Sequence, residues 1–115
     1  MKVLITGENR GLGFELANIF SNNGHIIFPV VRKQQELQKL THIFPDRCYP
    51  ILADLNDDKS VEKIQTSLNK YTGCIDLVIN NAIQNNKFNV DELSGISKNE
   101  QLVEDKLKLR RVCIG

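Results

Sequence analysis

The stretch Val3-Leu4-Ile5-Thr6-Gly7-Glu8-Asn9-Arg10-Gly11-Leu12-Gly13 decides the fold of this chain. An apolar run enters three spaced glycines, and an apolar-periodic segment leaves them. Strand, glycine-rich turn and helix start, in that order, make a cradle for a phosphate. Gly7 lets the chain leave the strand in a backbone conformation that bulkier residues avoid. Gly11 lets the main chain approach a pyrophosphate, and Gly13 lets the helix pack closely on the sheet. The helix N-terminus then aims unpaired N–H groups and a partial positive charge at the anion.

Working outward, the helix after the turn carries Leu12, Leu16, Ile19 and Phe20 as a one-face stripe, and Gly24 is placed to cap it. His25–Val31 is nearly all apolar, as suits a strand buried on both faces. Pro29 interrupts it with a residue that cannot donate to a ladder. Lys33–Phe44 predicts a helix with Leu37, Leu40, Ile43 and Phe44 inward, ended by Pro45. Tyr49–Ala53 predicts a third strand. Asn56-Asp57-Asp58 offers N-cap chemistry before a helix with Val61, Ile64 and Leu68 on one face. Gly73 closes that helix, and Ile75–Ile79 predicts a fourth strand.

The order β-α-β-α-β-α-β implies an α/β fold: a Rossmann-like parallel sheet of about four strands with helices on both faces. Beyond Ala82 the texture changes. Residues 84–89 are polar and aperiodic, so they predict a loop. Lys98–Arg111 mixes Leu102, Val103, Leu107 and Leu109 with charges, and Glu104 stands four residues before Lys108. This predicts a last amphipathic helix. The chain thus divides into a domain over 1–97 and a helical tail over 98–115.

With 115 residues there is room for one domain and one modest core. A net charge of +1 supplies no global field to attract nucleic acid or an anionic membrane. No apolar run approaches the roughly 20 residues that span a bilayer. Met1–Gly7 is too short for a signal peptide, and a cytoplasmic location is the expectation. Cys48, Cys74 and Cys113 are odd in number and widely spaced, which predicts free thiols in a reducing compartment. Neither His25 nor His42 has partners at metal-ligand spacing, so no metal is expected.

Three motifs together resemble the short-chain dehydrogenase/reductase family. Thr6-Gly7-x-x-x-Gly11-x-Gly13 resembles its glycine turn. Asp54-Leu55, after the third strand, resembles its adenine-contacting acid. Asn80-Asn81-Ala82, after the fourth, resembles most of its Asn-Asn-Ala-Gly motif. The intervals match as well, over about residues 1–97. The resemblance implies a dinucleotide site built from Thr6, Gly7, Asn9, Arg10, Gly11, Leu12, Gly13, Arg32, Asp54, Leu55, Asn80, Asn81 and Ala82. Asp54 would accept a hydrogen bond from the adenine amino group; alternatively it caps a turn. Asn80 would tie the fourth strand to the glycine turn. Where the family usually has glycine next, this chain has Ile83, whose branched side chain disfavours positive φ.

Charge separates the two nicotinamide dinucleotides. NAD enzymes of this fold place an acid at the end of the second strand to hold the ribose 2′-hydroxyl. Arg32 and Lys33 stand there instead, with Arg10 nearby, and two arginines can clamp a 2′-phosphate. NADP(H) is therefore expected over NAD(H). The alternative is that Arg32 and Lys33 only begin a solvated helix.

The family's chemistry needs a tyrosine four residues before a lysine, to protonate a carbonyl as hydride moves. Tyr49 is followed at that spacing by Ala53, and Tyr71 by Ile75. The family's fourth-helix asparagine aligns near Lys108. No catalytic residue is therefore assigned, and turnover by this chain alone is not expected. The outer edge of the fourth strand would lie open unless the C-terminal segment, a second copy or a partner chain covers it. Two functional readings follow: the NADP(H)-binding part of an oxidoreductase, or a non-catalytic dinucleotide-binding or protein-interaction module. A decayed reading frame is a third.

Overall fold

A computed structural model describes residues 1–6, 12–80, 93, 107–108 and 112–114. The strands are β1 (Lys2–Thr6), β2 (Ile26–Val31), β3 (Ile51–Leu52), β4 (Cys74–Ile75), β5 (Leu77–Asn80), β6 (Leu107–Lys108) and β7 (Val112–Cys113). The helices are α1 (Leu12–Asn22), α2 (Gln34–Ile43) and α3 (Ser60–Asn69). The main sheet runs β3-β2-β1-β5-β6, with its first four strands parallel and β6 antiparallel at the edge. This is the Rossmann-like parallel sheet with flanking helices that the β-α alternation predicts.

Alternation of side chains across the pleat builds two cores from the same strands. Val3, Ile5, Ile27, Val31, Leu77 and Ile79 point to one face, where they meet Ala17 of α1 and Leu40 of α2. Leu4, Phe28, Val30 and Val78 point to the other, where Ile64 and Leu68 of α3 cover them. A strand buried on both faces needs apolar residues throughout, which is why β1 and β2 are apolar runs. Each fully buried Leu or Ile contributes about 1.5–3 kcal/mol relative to exposure.

Two helical stripes differ from expectation. Ile19 is 52% exposed, whereas Ala17 is buried, flanked by half-buried Phe14, Leu16 and Phe20. At ~100° per residue, Ile19 lies about 200° around the helix from Ala17. Ile43 is 41% exposed, whereas Leu40 and Phe44 are buried. Gly24 does cap α1, at φ 82°, its N–H donating to the Ser21 carbonyl at 3.1 Å.

Pro29 leaves its mark on β3. The Ile27 N–H donates to Arg47 O at 2.8 Å and its carbonyl accepts from Tyr49 N at 2.9 Å, so both face β3. Two residues on, Pro29 faces the same way without an N–H. The pairing accordingly breaks into an isolated bridge at Cys48 and a two-residue strand at Ile51–Leu52, shorter than the expected Tyr49–Ala53.

Asp76 divides the expected fourth strand. Its N–H donates to Lys2 O and its Oδ2 accepts from Lys2 N, each at 2.9 Å. Before it, β4 pairs with β7; after it, β5 pairs with β1. The helix expected over Lys98–Arg111 is corrected at Leu107–Lys108, which form a strand on β5, with Val78 opposite Lys108 and Ile79 opposite Leu107. Edge N–H and C=O groups need partners, and this demand outweighs local helix preference. The rest of 98–111 lies outside the described residues. The C-terminal segment therefore covers β5 at these two positions.

The cysteine expectation is corrected too. Cys74 and Cys113 are register partners between β4 and β7, with Cα atoms 4.0 Å apart, and form a disulfide. Spacing along the chain carries no trace of a pair 39 residues apart that only folding brings together. Cys48 is the free thiol, and it is buried.

Candidate functional site

The C-terminal ends of the parallel strands place the candidate residues. The chain steps outward from β1 to β2 to β3, then returns to the other side of β1 as β5. That reversal makes a topological switch point between β1 and β5, where open α/β sheets leave a crevice for ligands. Thr6, fully buried, and Asn80 are register partners at this point. The described chain resumes at Leu12, the first residue of α1, so the helix start follows directly on the glycine turn.

The neighbouring strands end at the same level. Ala53 N–H donates to Val31 O at 2.9 Å, which sets Arg32 and Asp54 as the next residues of adjacent strands. Arg32 is exposed and makes no ion pair among the described residues. Lys33, at the N-cap of α2, is extended (φ −118°, ψ 142°), and its side chain makes no capping hydrogen bond. Two cations, Arg32 and Lys33, thus stand at the start of α2, with Asp54 on the adjoining strand end and Glu36 in the helix's first turn.

Asp54 is exposed, and its Oδ1 accepts the Asn56 N–H at 3.0 Å while its carbonyl accepts the Asp57 N–H at 2.9 Å. It therefore does cap a turn, and that turn fixes its carboxylate at the strand end. Leu55, half-buried, packs on the α3-side core. Asp57 prepares α3: its Oδ1 accepts the Lys59 N–H at 3.0 Å, and this bond lowers its carboxyl below the usual range, with Lys63 assisting at 3.6 Å. Of the remaining expected site residues, Gly7, Asn9, Arg10, Gly11, Asn81 and Ala82 lie outside the described residues. So do the Asn80 side chain and the side-chain environment of Leu12 and Gly13.

One group escaped the sequence reading. Glu36 sits in the first turn of α2, four residues after Arg32, and its Oε2 is buried without a partner among the described residues. An acid in a first helical turn was the available signal. The described residues hold no cluster of three metal-ligating side chains and no helix long and apolar enough to cross a membrane.

The described tyrosines stand elsewhere. Tyr49 and Tyr71 pack as a tilted pair with ring centroids 4.4 Å apart, beside Phe28. Tyr49 bonds to Ile27, near the start of β2, whereas the candidate crevice is at its far end, roughly 13 Å along the strand.

The comparisons agree with this architecture. Residues 1–104 match the short chain dehydrogenase family, and the chain belongs to it. It is 36% identical over 90 residues to the oxidoreductase BOA17 of Botryotinia fuckeliana, covering 77% of this chain and 33% of that protein. It is 33% identical over 82 residues to the NADP-dependent 3-hydroxy acid dehydrogenase YdfG of Shigella flexneri, covering 71% and 33%. L-Sorbose reductase of Gluconobacter frateurii, solved with NADPH and L-sorbose, superposes with a TM-score of 0.62 at 26% identity, covering 70% and 32%. The chain spans about a third of the length of these relatives.

Proposed function

We propose that this chain binds NADP(H) as the nucleotide-binding part of a short-chain dehydrogenase/reductase-type oxidoreductase, without turnover on its own. The observation that carries the reading is the pairing of Thr6 with Asn80 at the switch point, with Arg32 and Asp54 on the adjoining strand ends. Gly7, Asn9, Gly11, Leu12 and Gly13 receive the pyrophosphate at the start of α1. Arg32 and Arg10 hold the 2′-phosphate, and Asp54 with Leu55 borders the adenine. Asn80, Asn81 and Ala82 border the nicotinamide ribose.

A bound nicotinamide dinucleotide supplies or accepts hydride. Proton delivery to a substrate carbonyl has no assigned group here, because neither tyrosine precedes a lysine at the required spacing. A partner chain joining at the sheet edge would supply what is missing, whereas a second copy joining there would bring the same two tyrosines without a lysine at that spacing. The proposed location is cytoplasmic.

The test is a titration of the purified chain with NADPH, followed by the cofactor's own fluorescence, with NADH in parallel. Saturable binding that prefers NADPH supports the reading. A folded chain that binds neither dinucleotide would leave the protein-interaction module as the function. Glu36 favours a second reading of the cofactor alone: its buried oxygen could accept a ribose 2′-hydroxyl, which would show as equal or tighter NADH binding.

A further inference from the structure

We propose that Cys74 and Cys113 form a redox-operated latch on the C-terminal segment, holding it on the sheet when oxidised and freeing the β5 edge when reduced. The inference is independent of the cofactor reading.

Among the described residues, the segment is held by short ladders: β4–β7 and β5–β6 each join two residues per strand, and pairs this short are marginal in water. Ile114 adds one backbone bond, its N–H donating to Gly73 O at 2.7 Å, and packs half-buried against the α3-side core. The disulfide turns these weak contacts into a closed loop from 74 to 113 that carries β5 and β6 within it.

The two halves of the latch differ in their support. Cys74 is fixed from the sheet side. The Thr72 hydroxyl accepts its N–H at 3.2 Å and donates to its carbonyl at 2.8 Å, and Lys2 Nζ donates to the same hydroxyl at 3.0 Å. Cys113 stands on the exposed strand, open to solvent, while Cys74 is half-buried. A thiol reductant can therefore reach the bond from the Cys113 side. Cys48 takes no part: it is buried, and burial pushes its thiol up to about 12, so it supplies little thiolate for exchange.

The chemistry is two-electron exchange with a dithiol or with glutathione. The reductant's two thiols lose two electrons and two protons and become a disulfide. The Cys74–Cys113 bond breaks, and each cysteine leaves as a thiol. In a reducing compartment the open form prevails, and oxidation closes it. Opening exposes the edge of β5 opposite Leu107–Lys108, where alternate residues present N–H and C=O groups that another strand can pair.

Hydrogen exchange on the full chain, with and without dithiothreitol, tests the latch, alongside non-reducing peptide mapping. Mapping should recover the Cys74–Cys113 cross-link and leave Cys48 free. Reduction should speed exchange of peptides covering 107–114 and β5 at least tenfold while β1 and β2 stay protected. Cys113→Ser, untreated, should match the reduced chain, and Cys48→Ala should keep the switch. Absence of the cross-link, or unchanged exchange over 107–114 on reduction, would overturn the proposal. So would deprotection of β1 and β2 together with the tail, because the bond would then staple the whole fold.

Discussion

Thr6 and Asn80 face each other at the last register position of β1 and β5. One residue precedes the glycine turn, and the other opens the Asn80-Asn81-Ala82 motif. Parallel pairing sends both chains out of the sheet on the same side after Thr6 and Asn80. The sheet order makes this the place where successive crossovers diverge to opposite faces. Two residues far apart in sequence, one ahead of each motif, thereby become neighbours.

On the proposed NADP(H) reading, Arg32 distinguishes the dinucleotides. It is exposed, without an ion pair among the described residues, beside the start of α2. Arg32→Ala should weaken NADPH binding about tenfold, or about 1.4 kcal/mol, and leave NADH binding unchanged. Parallel fluorescence titrations check this. An equal loss for both dinucleotides would mean that Arg32 does not read the 2′-phosphate.

Ile64 and Ile43 look alike in sequence, each an isoleucine on an amphipathic helix. Ile64 is fully buried beneath α3, while Ile43 is 41% exposed. Ile64→Ala should cost about 2–5 kcal/mol through lost burial and the cavity left behind. Ile43→Ala should stay within about 0.5 kcal/mol. Urea unfolding of both variants is the measurement, and similar midpoints would contradict the two-core packing.

Much of the architecture was legible because it rests on local periodicity. The apolar runs of β1 and β2, the stop at Gly24, and Ile64 with Leu68 on α3 all stand where the pattern puts them. What escaped depends on contacts distant in sequence. Asp76 splits the fourth strand because it bonds to Lys2. Leu107–Lys108 forms a strand because β5 offers an edge, although its own residues suit a helix. Cys113 meets Cys74 for the same reason. Thr6 and Asn80 are register partners, and Arg32 and Asp54 follow the ends of the adjoining strands, while the glycine turn lies outside the described residues. Glu36 was passed over because burial of one carboxylate oxygen depends on tertiary packing.

Pro29 offers a test of ladder accounting. Pro29→Val restores the donor missing between the Cys48 bridge and β3. The new hydrogen bond contributes about 1 kcal/mol, and the freer unfolded chain removes about 0.4–1 kcal/mol. Stability should therefore change little, while the amide at position 29 becomes slowly exchanging. A rapidly exchanging amide there would show that β3 is short for another reason.

Cys48 should make stability fall in alkali. Burial raises its pKa from 9.0 to about 12, so the folded chain keeps a proton that the unfolded chain releases. The contribution is complete below pH 9 and is lost as pH rises toward 12, because the unfolded state alone gains from ionisation. The slope approaches about 1.4 kcal/mol per pH unit for one proton. Urea midpoints of the disulfide-intact chain, taken between about pH 8 and about pH 10.5, should fall more steeply than those of Cys48→Ala. The variant starts lower because it loses a buried side chain, but it lacks this titration, and the difference in slope isolates the thiol from the lysines and tyrosines. Parallel curves would mean that Cys48 ionises as easily in the folded chain as in the unfolded one.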